Sequence, residues 1–201
     1  MNKTSRRKTT KKPAAKAAAP PAAPPKVRVA TIWLSGCSGC HMSLLDLDER
    51  LVELVKLVDI VHSPIVDVKE IPEADVGLVE GCVNNNEQEH ELQTLRARCK
   101  VLIALGDCAS TGNVPSLRNQ FALRDVLQRA YEQTESTRIS CIPNDPVLPR
   151  LSPKARPVQE VVKVDVHIPG CPPDADAIWY ALTELLAGRM PQWTEKNLRY
   201  D

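Results

Sequence analysis

Aromatic residues are scarce in this 201-residue chain, at 3% with a single Phe. That scarcity argues against the stacking platforms that hold single-stranded nucleic acid. An excess of one charge is lacking too. Twenty-six Lys and Arg stand against 25 Asp and Glu, for a formal net charge of +1, so no global field draws nucleic acid or an anionic membrane. No apolar run approaches the roughly 18 residues that span a bilayer. The four His residues (His41, His62, His90 and His167) show no metal-ligand spacing. Ordinary surface or core roles are expected for the last three.

The N-terminus also lacks something. Residues 1–25 are basic and rich in Ala and Pro, but they contain no continuous apolar core of the kind a secretory signal needs. Arg6-Arg7 is not followed by an apolar segment either. The composition predicts a disordered tail over 1–25 and a single folded domain over 26–201. The apolar fraction of 43% is enough for a buried core.

What is present is cysteine: Cys37, Cys40, Cys82, Cys99, Cys108, Cys141 and Cys171. The number is odd and the chain shows no secretory signal, which argues against a disulfide framework. In a reducing cytoplasm, clustered thiols point to metal binding or catalysis.

The segment 27–34, VRVATIWL, reads as a buried strand ending at Ser35-Gly36-Cys37-Ser38-Gly39-Cys40. From Met42, Leu44, Leu45, Leu51, Leu54, Val55 and Val58 recur at helical spacing. The plan repeats. Residues 75–80 (DVGLVE) form a candidate strand ending at Gly81-Cys82, with a polar helix over 87–98. Residues 100–105 (KVLIAL) form another, ending at Gly106-Asp107-Cys108. A loop is predicted over 109–115, then a helix over 117–133. Residues 59–67 suit an edge strand interrupted by Pro64. Five prolines make 134–158 a long loop. Residues 161–168 are β-like, and 174–188 read as a helix, with Asp174 or Asp176 at its start. Trp193 and Tyr200 lie in a final segment suited to packing on a partner. This alternation predicts an α/β fold, a parallel sheet with helices on both faces. Ligands in such sheets collect beyond the carboxyl ends of the strands. Cys37, Cys82 and Cys108 all fall there.

Cys37-x-x-Cys40 can serve one metal centre from a single loop, and it also occurs in zinc sites and dithiol redox sites. Zinc normally shows a second close pair, which is missing. One pair plus distant single thiols suits a cuboidal iron–sulfur cluster, which accepts thiolates from several loops. From residues alone, the fourth ligand stays open between Cys171, in the stiff turn Pro169-Gly170-Cys171-Pro172-Pro173, and Cys82. Cys99 reads as a small core residue and Cys141 is undecided. Glu80 is either a proton-relay carboxylate or a surface or N–H-capping acid. His41 either tunes a cluster through its ring N–H or simply starts a helix in solvent.

Taken in order, Cys37-Ser38-Gly39-Cys40, Val79-Glu80-Gly81, Gly106-Asp107-Cys108-Ala109 with Gly112-Asn113-Val114-Pro115, and Pro169-Gly170-Cys171-Pro172-Pro173 resemble the small subunit of [NiFe]-hydrogenases. The resemblance runs from about Val27 to Trp193. It implies a flavodoxin-like fold and one proximal-type [4Fe–4S] cluster on Cys37, Cys40, Cys108 and Cys171. It also implies a partner large subunit that holds the Ni–Fe centre. Longer family members continue into a domain with further clusters and carry an export signal. This chain stops soon after Pro173 and is similar to the short cytoplasmic type of NAD-reducing hydrogenases. In those, electrons pass on to diaphorase subunits with flavin and iron–sulfur clusters. A related respiratory complex I subunit has adjacent cysteines in its first motif, whereas Ser38 and Gly39 separate them here. By analogy of fold, an FMN is also considered, with Asn84-Asn85-Asn86 and Thr111-Gly112-Asn113 as contact loops.

Overall fold

The computed structural model describes residues 25–136 and 138–198. The tail expected over 1–25 therefore lies almost wholly outside the described residues, as does Tyr200. Five parallel strands form the central sheet: β1 (Val27–Trp33), β2 (Val58–His62), β3 (Ala74–Glu80), β5 (Cys99–Leu105) and β7 (Val166–Ile168). They lie in the order β2-β1-β3-β5-β7. Counting sheet strands alone, this is the 2-1-3-4-5 order of doubly wound flavodoxin-like folds.

Alternation along the strands builds a core on each face. Ala30 and Ile32 of β1 and Leu102 and Ala104 of β5 point to one side, where Leu92 and Leu95 of α3 (Asn86–Arg98) cover them. Leu78, Ile103 and Leu105 point to the other. There they meet Leu54 of α2 (Arg50–Leu57) and Ile178, Ala181 and Leu182 of α6 (Ala175–Leu186). Leu102, Ile103 and Leu105 are fully buried, each contributing about 1.5–3 kcal/mol relative to exposure. A strand buried on both faces has no reason to alternate with polar residues, which is why β5 reads as a continuous apolar run.

Caps and turns fix the helix starts. The Asn85 side chain accepts from the Gln88 amide at 2.9 Å, and Asp174 from the Asp176 amide at 2.9 Å. Asp165 receives Arg96 at 2.6 Å and the Leu102 amide at 2.9 Å, tying α3 to the sheet. Trp193 packs edge-on against Tyr180 at 5.8 Å, so this aromatic is used inside the chain.

Several elements differ from the sequence reading. The helix expected from Met42 is two: α1 (Gly39–Leu45) and α2, separated by a turn in which Asp48 takes φ 50°. The loop expected over 109–115 begins instead as α4 (Gly106–Thr111). The helix expected over 117–133 is a 3₁₀ turn (Val114–Gln120) followed by α5 (Leu123–Tyr131). The long loop expected over 134–158 contains β6 (Leu151–Arg156). It pairs antiparallel with the three-residue β4 (Val83–Asn85) in a separate ribbon. Residues 161–165 are not strand; only Val166–Ile168 is.

Candidate metal centre

Register sets the site. Trp33 pairs with Glu80, Glu80 with Leu105, and Leu105 with Ile168. The carboxyl ends of four strands therefore lie in one row. The residues that follow each strand must turn at that rim, and the thiols sit on those turns. Cys37 and Cys40 follow β1, Cys82 follows β3, Cys108 follows β5 and Cys171 follows β7.

Close contacts bind the turns together. Gly106 has φ +81°, and a Cβ there would overlap the Cys40 sulfur and stand 3.3 Å from the Gly170 oxygen. A Cβ on Gly39 would lie 3.1 Å from the Cys37 sulfur and 4.0 Å from Cβ of Pro172. The CxxC loop, the start of α4 and the Cys171 turn thus meet. Asp107 fastens the last two. Its amide donates to the Gly170 oxygen at 2.9 Å, and its carboxylate accepts the Gly170 amide at 2.8 Å. Ser43 of α1 donates its hydroxyl to the Pro173 oxygen.

The thiols differ in surroundings. Cys40 is buried, Cys108 partly so, and Cys37 and Cys171 are exposed. Burial above all pushes the Cys40 thiol up, and the Glu80 carboxylate and the thiols of Cys108, Cys37 and Cys171 push it further. Cys108 is raised by burial and then by Cys171 and Cys37. Cys40 and Cys108 each feel the neighbouring thiols as like charges, as thiols on adjoining turns must. A polycation placed among them would reverse this and favour all four thiolates. Two N–H donors already face the exposed sulfurs: the Gly39 amide to Cys37 at 3.4 Å and the Asn113 side chain to Cys171 at 3.3 Å. Among the described residues, no three His, Cys, Asp or Glu groups are drawn close enough to hold a single metal ion. A mononuclear zinc would need its sulfurs within about 4 Å of one another, given Zn–S bonds near 2.3 Å. A soft, all-thiol donor set spread over three loops fits a polynuclear group better.

Cys82 lies on the same rim, near Cys108. It is fully buried, bridged to Ser35 through two backbone hydrogen bonds, and pushed up to about 11 by burial and then by Cys108. Cys99 is a small core residue, as its sequence suggested, and Cys141 is exposed in the loop before β6. No cysteine is in a disulfide.

Glu80 and His41 form the feature that sequence left undecided. Glu80 is 2% exposed. It accepts the Cys40 amide at 3.2 Å and the His41 amide at 2.9 Å, and its Oε2 lies 2.5 Å from His41 Nδ1. Although burial pushes it up, these bonds hold the carboxyl below its usual range. It caps N–H groups at the start of α1. His41 does not start a helix in solvent: its ring is enclosed between Glu80 and Trp33, 5.3 Å from the latter. A carboxylate ending a buried apolar strand was the available signal, since such a group requires partners.

The other histidines take ordinary roles. His62 is buried with Nδ1 3.1 Å from the Thr31 oxygen, His90 is exposed, and His167 lies 3.1 Å from the Ser110 hydroxyl. The Asn loops weighed for flavin are engaged within the chain. Asn84 accepts from Arg118, Asn85 caps α3, and Asn86 accepts the Arg150 amide.

Comparison with known proteins gives a consistent result. The family model described as "NADH ubiquinone oxidoreductase, 20 Kd subunit" matches residues 37–185. The NAD-reducing hydrogenase HoxS subunit delta of Cupriavidus necator is 43% identical over 180 residues, covering 88% of this chain and 86% of that one. One subunit of the F420-non-reducing hydrogenase vhu of Methanococcus voltae is 41% identical over 172 residues. That match covers 85% of this chain but 60% of the relative, so the chain spans less than two thirds of that longer protein. A chain in the crystal structure of an NAD+-reducing [NiFe]-hydrogenase in the H2-reduced state superposes with a TM-score of 0.85 at 43% identity. The match covers 88% of this chain and 100% of that one. A chain of the Ni-Fe-Se hydrogenase from Desulfomicrobium baculatum, at TM-score 0.53 and 18% identity, shares the fold over 86% of this chain and 69% of that one.

Proposed function

The chain belongs to the NADH ubiquinone oxidoreductase 20 kDa subunit family, and from that premise we propose that it is the electron-transfer small subunit of an NAD-reducing [NiFe]-hydrogenase. Cys37, Cys40, Cys108 and Cys171 would hold one [4Fe–4S] cluster. The observation that carries this reading is the meeting of the CxxC loop, the start of α4 and the Cys-Pro turn on one rim. The likeness to the HoxS delta subunit supports it. When bound, such a cluster supplies a one-electron relay and performs no bond chemistry.

The chain's own residues then have defined tasks. Glu80 holds the Cys40 and His41 amides and so fixes the start of α1. Asp107 locks the spacing between the Cys108 and Cys171 turns. Gly81 and Gly106 let the backbone reverse at the rim. Exposed apolar side chains stand on elements leaving this rim: Met42 on α1, and Val114, Leu117 and Phe121 around the 3₁₀ turn. They are suited to burial against a large subunit that holds the Ni–Fe centre. Diaphorase subunits with flavin and iron–sulfur clusters would take the electrons to NAD+. The cytoplasm is the compartment this reading implies. No helix of the described residues is long and apolar enough to cross a membrane.

The test uses the complex purified through a tag on this chain. Under H2 it should develop the EPR signal of a reduced [4Fe–4S] cluster, and Cys108→Ser should abolish or convert that signal. Co-purification without nickel, or an EPR spectrum unchanged by Cys108→Ser, contradicts the proposal.

A further inference from the structure

We propose that Asn113 is a positioning residue that donates a hydrogen bond to the Cys171 sulfur and thereby raises the reduction potential of the centre held there. The inference rests on the cluster reading above.

The backbone at Asn113 is unusual. It has φ 34° and ψ −129°, a region in which a residue with a Cβ is strained. Glycine would occupy it freely. The strain is held in place from several sides. The Asn113 oxygen accepts both the Ser116 amide at 3.1 Å and the Ser116 hydroxyl at 2.7 Å. Gly112, at φ +85°, ends α4 directly before it. A position locked in a glycine-like conformation yet filled by Asn needs a reason in the side chain. The side chain supplies one: Nδ2 lies 3.3 Å from Cys171 Sγ across 58 residues of sequence. The chemistry also fixes which end of the amide faces the sulfur, because a thiolate accepts from NH2 and repels the carbonyl oxygen.

A donor aimed at a ligand sulfur acts on redox equilibrium. Reduction adds a negative charge to the centre, part of which resides on sulfur. An N–H···S bond therefore stabilises the reduced form more than the oxidised form, and removing it makes the potential more negative. The Gly39 amide makes a similar bond to Cys37, but a backbone N–H survives any side-chain substitution. Asn113 can be tested alone.

The test is an EPR-monitored redox titration of the complex containing the full chain. Asn113→Gly removes the donor and releases the backbone strain, so the fold and the iron content should be retained. At the wild-type midpoint, the ratio of reduced to oxidised cluster should fall about tenfold, which reads as about 59 mV for a one-electron couple. Asn113→Asp, of the same shape but with an anionic acceptor, should move the midpoint further in the same direction. It decides the matter if the Gly variant fails to assemble. An unmoved midpoint with the cluster intact overturns the role of Asn113 and leaves the cluster assignment standing. A wild-type complex without iron and sulfide overturns the cluster assignment and this inference with it.

Discussion

Replacing Gly106 by Ala tests whether the rim is built to close around the Cys40 sulfur. Two glycines offer a comparison within one chain. Gly106 has φ +81° and Gly188 has φ +73°, so both demand a left-handed backbone. A Cβ costs about 1–2 kcal/mol there. Stiffening of the unfolded chain returns about 0.4–1 kcal/mol, so the strain alone nets roughly 1 kcal/mol. Beyond this the sites differ. A Cβ on Gly188 meets nothing within 4 Å, while one on Gly106 falls closer than 3.0 Å to the Cys40 sulfur. Ordinary carbon–sulfur contact begins near 3.5 Å, so the sulfur must move by more than about 0.5 Å. Cys40 is 6% exposed and cannot swing into solvent. Gly188→Ala should lower Tm by about 2–4 °C and leave iron content unchanged. Gly106→Ala should lower Tm further and remove more than half of the four iron atoms that this chain's cluster contributes. The readouts are thermal unfolding by circular dichroism and iron analysis of the two variants in the same complex. Equal Tm values with full iron in Gly106→Ala would refute the reasoning.

Three further outcomes are expected. Cys82→Ser should retain the cluster signal, since the proposed ligand set leaves this fully buried thiol out; loss of iron in Cys82→Ser, with iron kept in Cys171→Ser, would reverse the ligand assignment. Burial pushes the Asp165 carboxyl up, but the Leu102 amide and Arg96 outweigh it and hold it below the usual carboxylate range. Its contribution is therefore complete above the unfolded value near 3.9 and lost as pH falls through the lower folded value. Asp165→Asn should cost about 1–3 kcal/mol at neutral pH and flatten the loss of stability below about pH 4; acid unfolding curves of equal slope would contradict this. Arg118 donates to Asn84 and to the Ser152 and Pro153 oxygens, joining the small ribbon to the 3₁₀ turn. Arg118→Ala should speed amide exchange across β6 while β5 stays protected; uniform exchange rates would count against a local role.

The central sheet was legible because β1, β3 and β5 are buried on both faces and read as apolar, β-rich runs. The row of strand ends followed from those runs, and with it the positions of Cys37, Cys82 and Cys108. The ribbon was hidden for the opposite reason. β4 is Val-Asn-Asn, and β6 contains Pro153 with charged neighbours, so neither has an apolar face to signal a strand. The starts of α1 and α4 were also missed. Both begin at glycines, Gly39 and Gly106, which propensity alone places in loops. Spacing could not rank Cys171 above Cys82. Their surroundings differ, Cys171 on the exposed Cys-Pro turn and Cys82 fully buried, and the ranking of one above the other rests on the family resemblance. Of the Glu80–His41 pair only the N–H-capping role of Glu80 was legible; its burial and its contact with the His41 ring were not.

The central claim is that four thiols on one rim hold a single iron–sulfur cluster beside a nickel-bearing partner. Metal and acid-labile sulfide analysis of the complex, purified without oxygen through a tag on this chain, tests it most directly. The account predicts at least four iron and four sulfide per copy of the chain, with further iron from the Ni–Fe centre and from any diaphorase clusters, and nickel in the co-purified large subunit. Zinc without iron or sulfide would contradict it.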